Sequence, residues 1–244
     1  MALRTFLAMT AAEMQRKAVL PEAVGWMACH FSPYGNGLSN LPGSLPTDSL
    51  LILNDRIPIA GHSPQVICQQ LETWISEGNC SGLLVDFQRA SCPELAGLVR
   101  HLSEALICPM AVSEPYAHLS NSAVFLPPLP HHIPLAEYIS PWQGREIWLE
   151  LALDTEVITV TEKGCRFEPL SHIPLEDSHM EDTLRCHYSI ETKPDCVSFS
   201  LWRTRQDLEK LLKQPDRKGD PQLLCLLQKR LQIFRCPANG KDDF

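Results

Sequence analysis

Apolar and polar positions along this chain follow two different periods. Between residues 50 and 113 short apolar runs alternate with stretches of helical spacing. Leu50–Asn54, Ser81–Gln88 and Met110–Ser113 read as buried strands, because their apolar residues are continuous rather than alternating. Between them, Pro64 opens a helix through Glu77 that places Val66, Ile67, Leu71, Trp74 and Ile75 on one face. A second helix is expected near Glu94–Ala105. Strand–helix alternation of this kind builds βαβ units and a parallel sheet.

The flanking segments extend the pattern. Val24–His30 is a strand candidate, followed by a loop rich in Gly, Pro, Ser and Asn from Ser32 to Ser49. Val124–Leu126 is a short strand stopped by Pro127-Pro128, Pro134–Ile139 a helical turn, and Arg145–Leu153 a further strand. Residues 157–190 change period: Val157–Thr161 and Cys186–Glu191 alternate around the Lys163-Gly164 turn signal, as antiparallel hairpins do. Val197–Trp202 resumes the buried pattern and leads into a helix at Gln206–Gln214.

The expected fold is therefore α/β: a compact, degenerate (β/α) barrel of the TIM type with an inserted antiparallel hairpin region. Its strands at 24–30, 50–54, 82–87, 110–113, 122–126, 146–153 and 197–202 should share one closed or nearly closed sheet. Residues 1–214 form the barrel with the insertion at about 155–196, and 215–244 a linker and an amphipathic terminal helix, Leu223–Phe234.

Composition narrows the function classes. A formal net charge of −8 argues against a nucleic-acid surface, which needs clustered Lys and Arg. No apolar run is long enough to span a bilayer, and Arg4, Glu13, Gln15, Arg16 and Lys17 interrupt any signal-peptide core, so a cytoplasmic location is the expectation. The ten cysteines are scattered without a C-x-x-C, and are expected to be reduced.

The most informative segment is Ser81-Gly82-Leu83-Leu84-Val85-Asp86-Phe87-Gln88. It delivers Asp86 at the C-terminal end of a buried strand, where (β/α) barrels assemble their sites. The segment resembles the D-x-x-D-x-D-x-E strand of the chitinase-type glycoside hydrolases, as in D-G-I-D-L-D-W-E. Gly82, the aliphatic positions, Asp86 and Phe87 match. The resemblance extends to Val197–Trp202, which is similar to that family's last barrel strand and its tryptophan at the sugar-binding floor, and to an inserted hairpin region before it. The family's catalytic Glu falls on Gln88, and its first two Asp positions on Ser81 and Leu84. The resemblance implies a glycosidase-like barrel and a carbohydrate ligand. A missing Glu removes the acid that substrate-assisted hydrolysis requires.

If hydrolysis occurs, two other carboxyl groups must supply it. Glu114 is the acid candidate, since partial burial at the end of an apolar strand would raise its pKa. Asp86, or in its place Asp55, is the ionised partner. Asp55, Tyr34, Gln88, Tyr116, Glu150 and Trp202 are the candidate substrate contacts, because they fall at strand ends or loops of the expected mouth. The competing account is that the acids cap helices or hold loops and that the aromatics pack in the core. His30, His62, Asp55 and Asp86 lack metal-ligand spacing, so neither a metal nor another cofactor is expected. Three functions stay open: a divergent carbohydrate-active hydrolase, a catalytically silent barrel binding a glycan or a protein, or an unrelated barrel enzyme acting on small metabolites.

Overall fold

A computed structural model describes residues 4–17, 23–77, 80–89, 92–170, 178–212 and 223–228. They divide into two units, each described in turn.

The first unit is a closed parallel ring. Its strands are β1 (Arg4–Met9), β2 (Val24–Phe31), the short β3 (Leu38–Ser39), β4 (Leu50–Asn54), β5 (Gly82–Asp86), β6 (Met110–Ser113), β7 (Ala123–Leu126) and β8 (Ile147–Ala152). A strand far along the chain, Leu223–Gln228, belongs to the same sheet and is β14 in the numbering completed below. β1 pairs in parallel with both β2 and β14, while β14 lies beside β8. The ring β1-β2-β4-β5-β6-β7-β8-β14 therefore closes with eight strands, and β3 is an antiparallel appendage on β2. This is the (β/α) barrel that the sequence predicts.

Strand alternation sorts the side chains into two cores. Phe6, Ala8, Leu50, Ile52, Leu84, Ala111, Ala123, Phe125 and Trp148 pack together inside the ring. Leu51, Leu53, Leu83, Val85 and Val112 point outward and meet α2 (Pro64–Ser76) and α3 (Pro93–Ala105) through Ile67, Leu71, Trp74, Leu95, Leu98 and Leu102. Both helices start on a proline, whose fixed φ and absent N–H suit the first helical position. The shorter α1 (Ala11–Arg16) is closed by a capping box between Thr10 and Glu13. Gly82 opens β5 because a Cβ there would stand 2.8 Å from the carbonyl oxygen of Pro109, which already accepts the Leu83 amide at 2.9 Å.

Two sequence expectations need correction at the ends of this ring. β1 is an element that the sequence reading lacks. Leu223–Gln228 is a strand, not the start of an amphipathic helix, because its backbone pairs along its length with residues 4–8. The predicted helix beyond residue 228 lies outside the described residues, as does the 215–221 linker.

The second unit holds a five-stranded antiparallel sheet between β8 and β14 in sequence. Its strands are β9 (Thr155–Thr161), β10 (Gly164–Leu170), β11 (His179–Glu181), β12 (Cys186–Lys193) and β13 (Cys196–Trp202), in the order β10-β9-β13-β12-β11. The inserted antiparallel region is present, and it includes the segment assigned above to the last barrel strand. Val197–Trp202 pairs antiparallel with β9 and β12, in a sheet separate from residues 82–86. The physical reason is legible in the residues: Ser198 and Ser200 alternate with Val197, Phe199 and Leu201, a period of two that suits a half-covered antiparallel strand. Helix α5 (Arg205–Leu212) follows, its Asp207 accepting from the Thr204 amide at 2.9 Å and from its hydroxyl. The buried Arg203 guanidinium ties the unit together, donating to the carbonyls of Leu184, Pro130 and His131 at 3.1, 3.1 and 3.3 Å.

Candidate functional site at the strand ends

The barrel interior decides which residues reach its mouth. Asp86 shares strand parity with Leu84, Asn54 with Leu50 and Ile52, Ser113 with Ala111, and Glu150 with Trp148. These four polar groups therefore succeed the apolar interior at the C-terminal ends of β4, β5, β6 and β8. The inner parity turns from apolar to polar towards the C-terminal end of each of these four strands, with Asn54 in register with Asp86 and Glu150 two residues beyond Trp148, and this defines the floor of a polar mouth.

Part of that floor is framework. Asn54 donates to the carbonyls of Met27 and Cys29 at 3.0 and 2.8 Å, filling the irregularity where β2 bulges between Trp26 and Cys29. Ser113 accepts the Phe87 amide at 3.0 Å and donates to the Phe87 carbonyl at 2.7 Å, so β6 clamps the residue after β5. Asp55 is buried and accepts the amides of Gln88 and Arg89 at 3.1 and 2.9 Å. Its carboxylate holds the loop after β5. It is not poised to meet a ligand, and no ion pair joins it to Arg56 among the described residues.

Tyr116 also departs from its expected role. It is 2% exposed, meets Phe87 edge-on with ring centroids 6.0 Å apart, donates to the Arg89 carbonyl and accepts the Cys92 amide at 3.3 Å. It cannot offer a ring face to a sugar. Burial raises its hydroxyl pKa. Asp55, Ser113 and Tyr116 together hold the backbone of Phe87, Gln88, Arg89 and Cys92, and thereby set where Gln88 stands.

Asp86 and Gln88 form the centre of the site. Asp86 is half-buried, Gln88 is exposed, and the Gln88 side-chain amide donates to the Asp86 carboxylate. Burial raises the Asp86 pKa, the Gln88 bond opposes that rise, and the negative charge of Asp55 adds to it. β5 is the fourth strand of the ring, and Gln88 lies two residues past its end.

A second group stands on the following strands. Glu114 begins a 3₁₀ turn (Glu114–Leu119) directly after β6 and is exposed, not part-buried as its expected role as acid required. Glu150 is half-buried near the end of β8. Between them comes Tyr138 of α4 (Leu135–Ile139), whose hydroxyl donates to the Pro127 carbonyl at 3.0 Å. Its pKa is pushed far above the usual phenol range by burial, then by the negative charges of Glu114 and Glu150. One phenol is thus within electrostatic reach of two carboxylates and bonded to the loop after β7. Sequence reading misses Tyr138, since a lone aromatic in a five-residue turn carries no periodic signal.

Two candidates remain. Tyr34 is 97% exposed on the loop after β2. Trp202 belongs to the antiparallel unit, buried and stacked on His187 with ring centroids 5.6 Å apart, and is not the floor of a barrel strand. His62 is engaged with the carbonyls of Ile59 and Ser32 at 2.9 and 3.0 Å, and His30 with Phe31 and Asn40. Among the described residues no three His, Cys, Asp or Glu side chains come together to hold a metal ion.

No protein-family model and no curated protein matches this chain. Solved structures do. A chitinase from Chromobacterium violaceum superposes with a TM-score of 0.58 at 10% identity, over 92% of this chain and 93% of that one. The GH18 chitinase from Cycas revoluta, solved with (GlcNAc)3, gives 0.57 at 9% identity, over 93% and 94%. The spore cortex-lytic enzyme SleL of Bacillus cereus gives 0.57 at 8% identity, over 94% of this chain and 71% of that one. At such identities the likeness speaks for the fold alone, and the fold is a TIM-type (β/α) barrel like that of the structures it superposes on.

Proposed function

We propose that this protein is a carbohydrate-binding barrel that holds an oligosaccharide of N-acetylhexosamine type at the C-terminal mouth without cleaving it by the chitinase mechanism. Gln88 carries the reading. The resemblance of residues 81–88 to the chitinase-type strand puts that family's acid on Gln88, and a carboxamide cannot deliver a proton to a glycosidic oxygen. Its amide is instead bonded to Asp86, which keeps a donor–acceptor pair facing the mouth. Polar groups on the inner parity of four strands and the ligand seen in the Cycas revoluta structure support a sugar as the occupant. Such groups fix orientation by hydrogen bonds, which is enough for recognition.

A second reading, a divergent hydrolase with Glu114 as acid and Asp86 as partner, draws support from one observation: the two residues end neighbouring parallel strands. The exposure of Glu114 weighs against it, because the acid role required a carboxyl group partly buried at the strand end.

Calorimetric titration with (GlcNAc)n oligomers, followed by mass spectrometry of the same mixture, separates the two. Saturable heat with intact oligosaccharide supports the binding barrel. Shortened products that disappear in Glu114→Gln establish the hydrolase. No heat with any oligomer overturns both.

A further inference from the structure

Among the described residues, the antiparallel unit carries an edge strand with no strand paired on its outer side. Each of residues 164–169 in β10 is exposed, and β10 is the edge strand of its sheet. The sheet is two-faced. Phe167, Ile158, Phe199 and Ile190 lie directly opposite one another across four strands and form an apolar row. Phe167 and Ile190 remain 53% and 52% exposed. The other face carries Arg166, Thr159, Ser198 and Glu191 in one row.

The hydrogen-bonding direction of β10 follows from its hairpin. The turn Glu162-Lys163 has two residues, so Thr161 and Gly164 are the bonded pair that closes it. Alternation then turns the N–H and C=O groups of Arg166 and Glu168 toward β9, and those of Cys165 and Phe167 toward the free edge. Pro169 falls on the free-edge parity as well, the one place in a strand where a missing N–H is tolerated. Two independent features of the sequence give the same orientation.

We infer that β10 pairs antiparallel with β10 of a second copy of this chain, across a twofold axis at Phe167. The strand is self-complementary about that residue. Phe167 faces Phe167 of the other copy, and the two exchange both backbone hydrogen bonds. Arg166 faces Glu168, so the pair that now lies within one strand at 2.9 Å, with side chains 77% and 50% exposed, becomes two pairs between copies. Cys165 faces Pro169 and donates to its carbonyl. Oppositely charged residues flanking an apolar centre at equal distances are what an isologous strand contact requires. Pairing also removes an open edge seven residues long, which would otherwise accept any extended chain. One strand pair with its flanking rows buries less than the roughly 800 Å² per partner of a standard interface, so the dimer is concentration-dependent.

Sedimentation equilibrium of the full chain, up to about 1 mM, tests this independently of any ligand. Wild type is expected to dimerise reversibly. Arg166→Glu, and separately Glu168→Arg, place like charges opposite one another and should raise the dimer dissociation constant about tenfold. The double exchange R166E/E168R restores the complementary order and should restore the dimer. These side chains are exposed, so unchanged circular dichroism is the expected control. A wild-type monomer throughout the range overturns the inference. So does a double exchange that stays as weak as the single variants.

Discussion

Gln88 donates its side-chain amide to the carboxylate of Asp86, two residues before it on the fourth barrel strand. A glutamate at the same position would place a second carboxyl group against an acid whose pKa burial already raises. Two carboxyl groups at that distance share a proton, which is how a general acid stays protonated near neutral pH. Gln88→Glu is therefore expected to produce shortened (GlcNAc)n products at least about 10²-fold faster than wild type, the lower range of a general-acid contribution. Chromatographic quantification of products checks this. Equal rates in the two proteins would show that the mouth lacks more than its acid.

Tyr138 ties the second half of the mouth together. Phenylalanine at this position removes the bond to the Pro127 carbonyl and a hydroxyl within reach of Glu114 and Glu150. The net value of such a bond is about 1 kcal/mol, so Tyr138→Phe should lower stability by about that amount. If the hydroxyl also meets the ligand, oligosaccharide affinity should fall about fivefold or more. Calorimetric titration beside a thermal melt separates the two effects. Unchanged affinity would assign Tyr138 to the framework alone.

The parallel half of the barrel is legible in the sequence because its signals are local. Leu50–Asn54, Gly82–Asp86 and Met110–Ser113 are continuous apolar strands separated by proline-initiated helices, and each stands where the pattern puts it. Closure of the ring is not local. β1 and β14 are more than two hundred residues apart, and no local spacing in either segment marks the other as its partner. Val197–Trp202 reads in the sequence as a buried barrel strand, and the structure instead pairs it antiparallel, as its alternating serines suit. Among the candidate site residues, Asp86 ends β5, Gln88 lies two residues past it, and Glu150 lies near the end of β8. Tyr116 and Asp55 are not free to meet a ligand, because an aromatic or an acid at a strand end serves equally well to hold the neighbouring loop. Sequence does not distinguish these uses. The distinction lies in which backbone amides happen to face the side chain.

The framework role of Asp55 makes a direct prediction for stability. Asp55→Ala removes the acceptor of two backbone amides, Gln88 and Arg89, in a buried position. Hydrogen bonds to a charged group contribute about 1.5–3 kcal/mol, and leaving a buried donor unmet adds to the loss. Asp55→Ala is expected to destabilise the protein by about 2–4 kcal/mol in denaturant titration. Asp55→Asn keeps one acceptor and should cost less. A loss below about 1 kcal/mol for the alanine variant would mean that water replaces the carboxylate.

His131 sets a pH dependence in the antiparallel unit. Its imidazole is 6% exposed, and burial, then the charge of Arg203, push its pKa down to about 4. The Glu156 carboxylate lies 3.6 Å from Nδ1, but with the imidazole neutral at pH 7 the two do not form an ion pair. An unfolded histidine titrates near 6.5, so between about pH 4 and 6.5 the unfolded chain binds the proton that the folded one refuses. Stability must therefore rise with pH across that window and level off above it. The full contribution of this one group is about 2–3 kcal/mol. His131→Gln removes the titrating ring. Denaturant midpoints for wild type and variant, taken at intervals from pH 4 to 7, should show a steeper rise in wild type by that amount. Parallel curves would mean that His131 is protonated in the folded state, paired with Glu156, and that the burial of Arg203 beside it is compensated in another way.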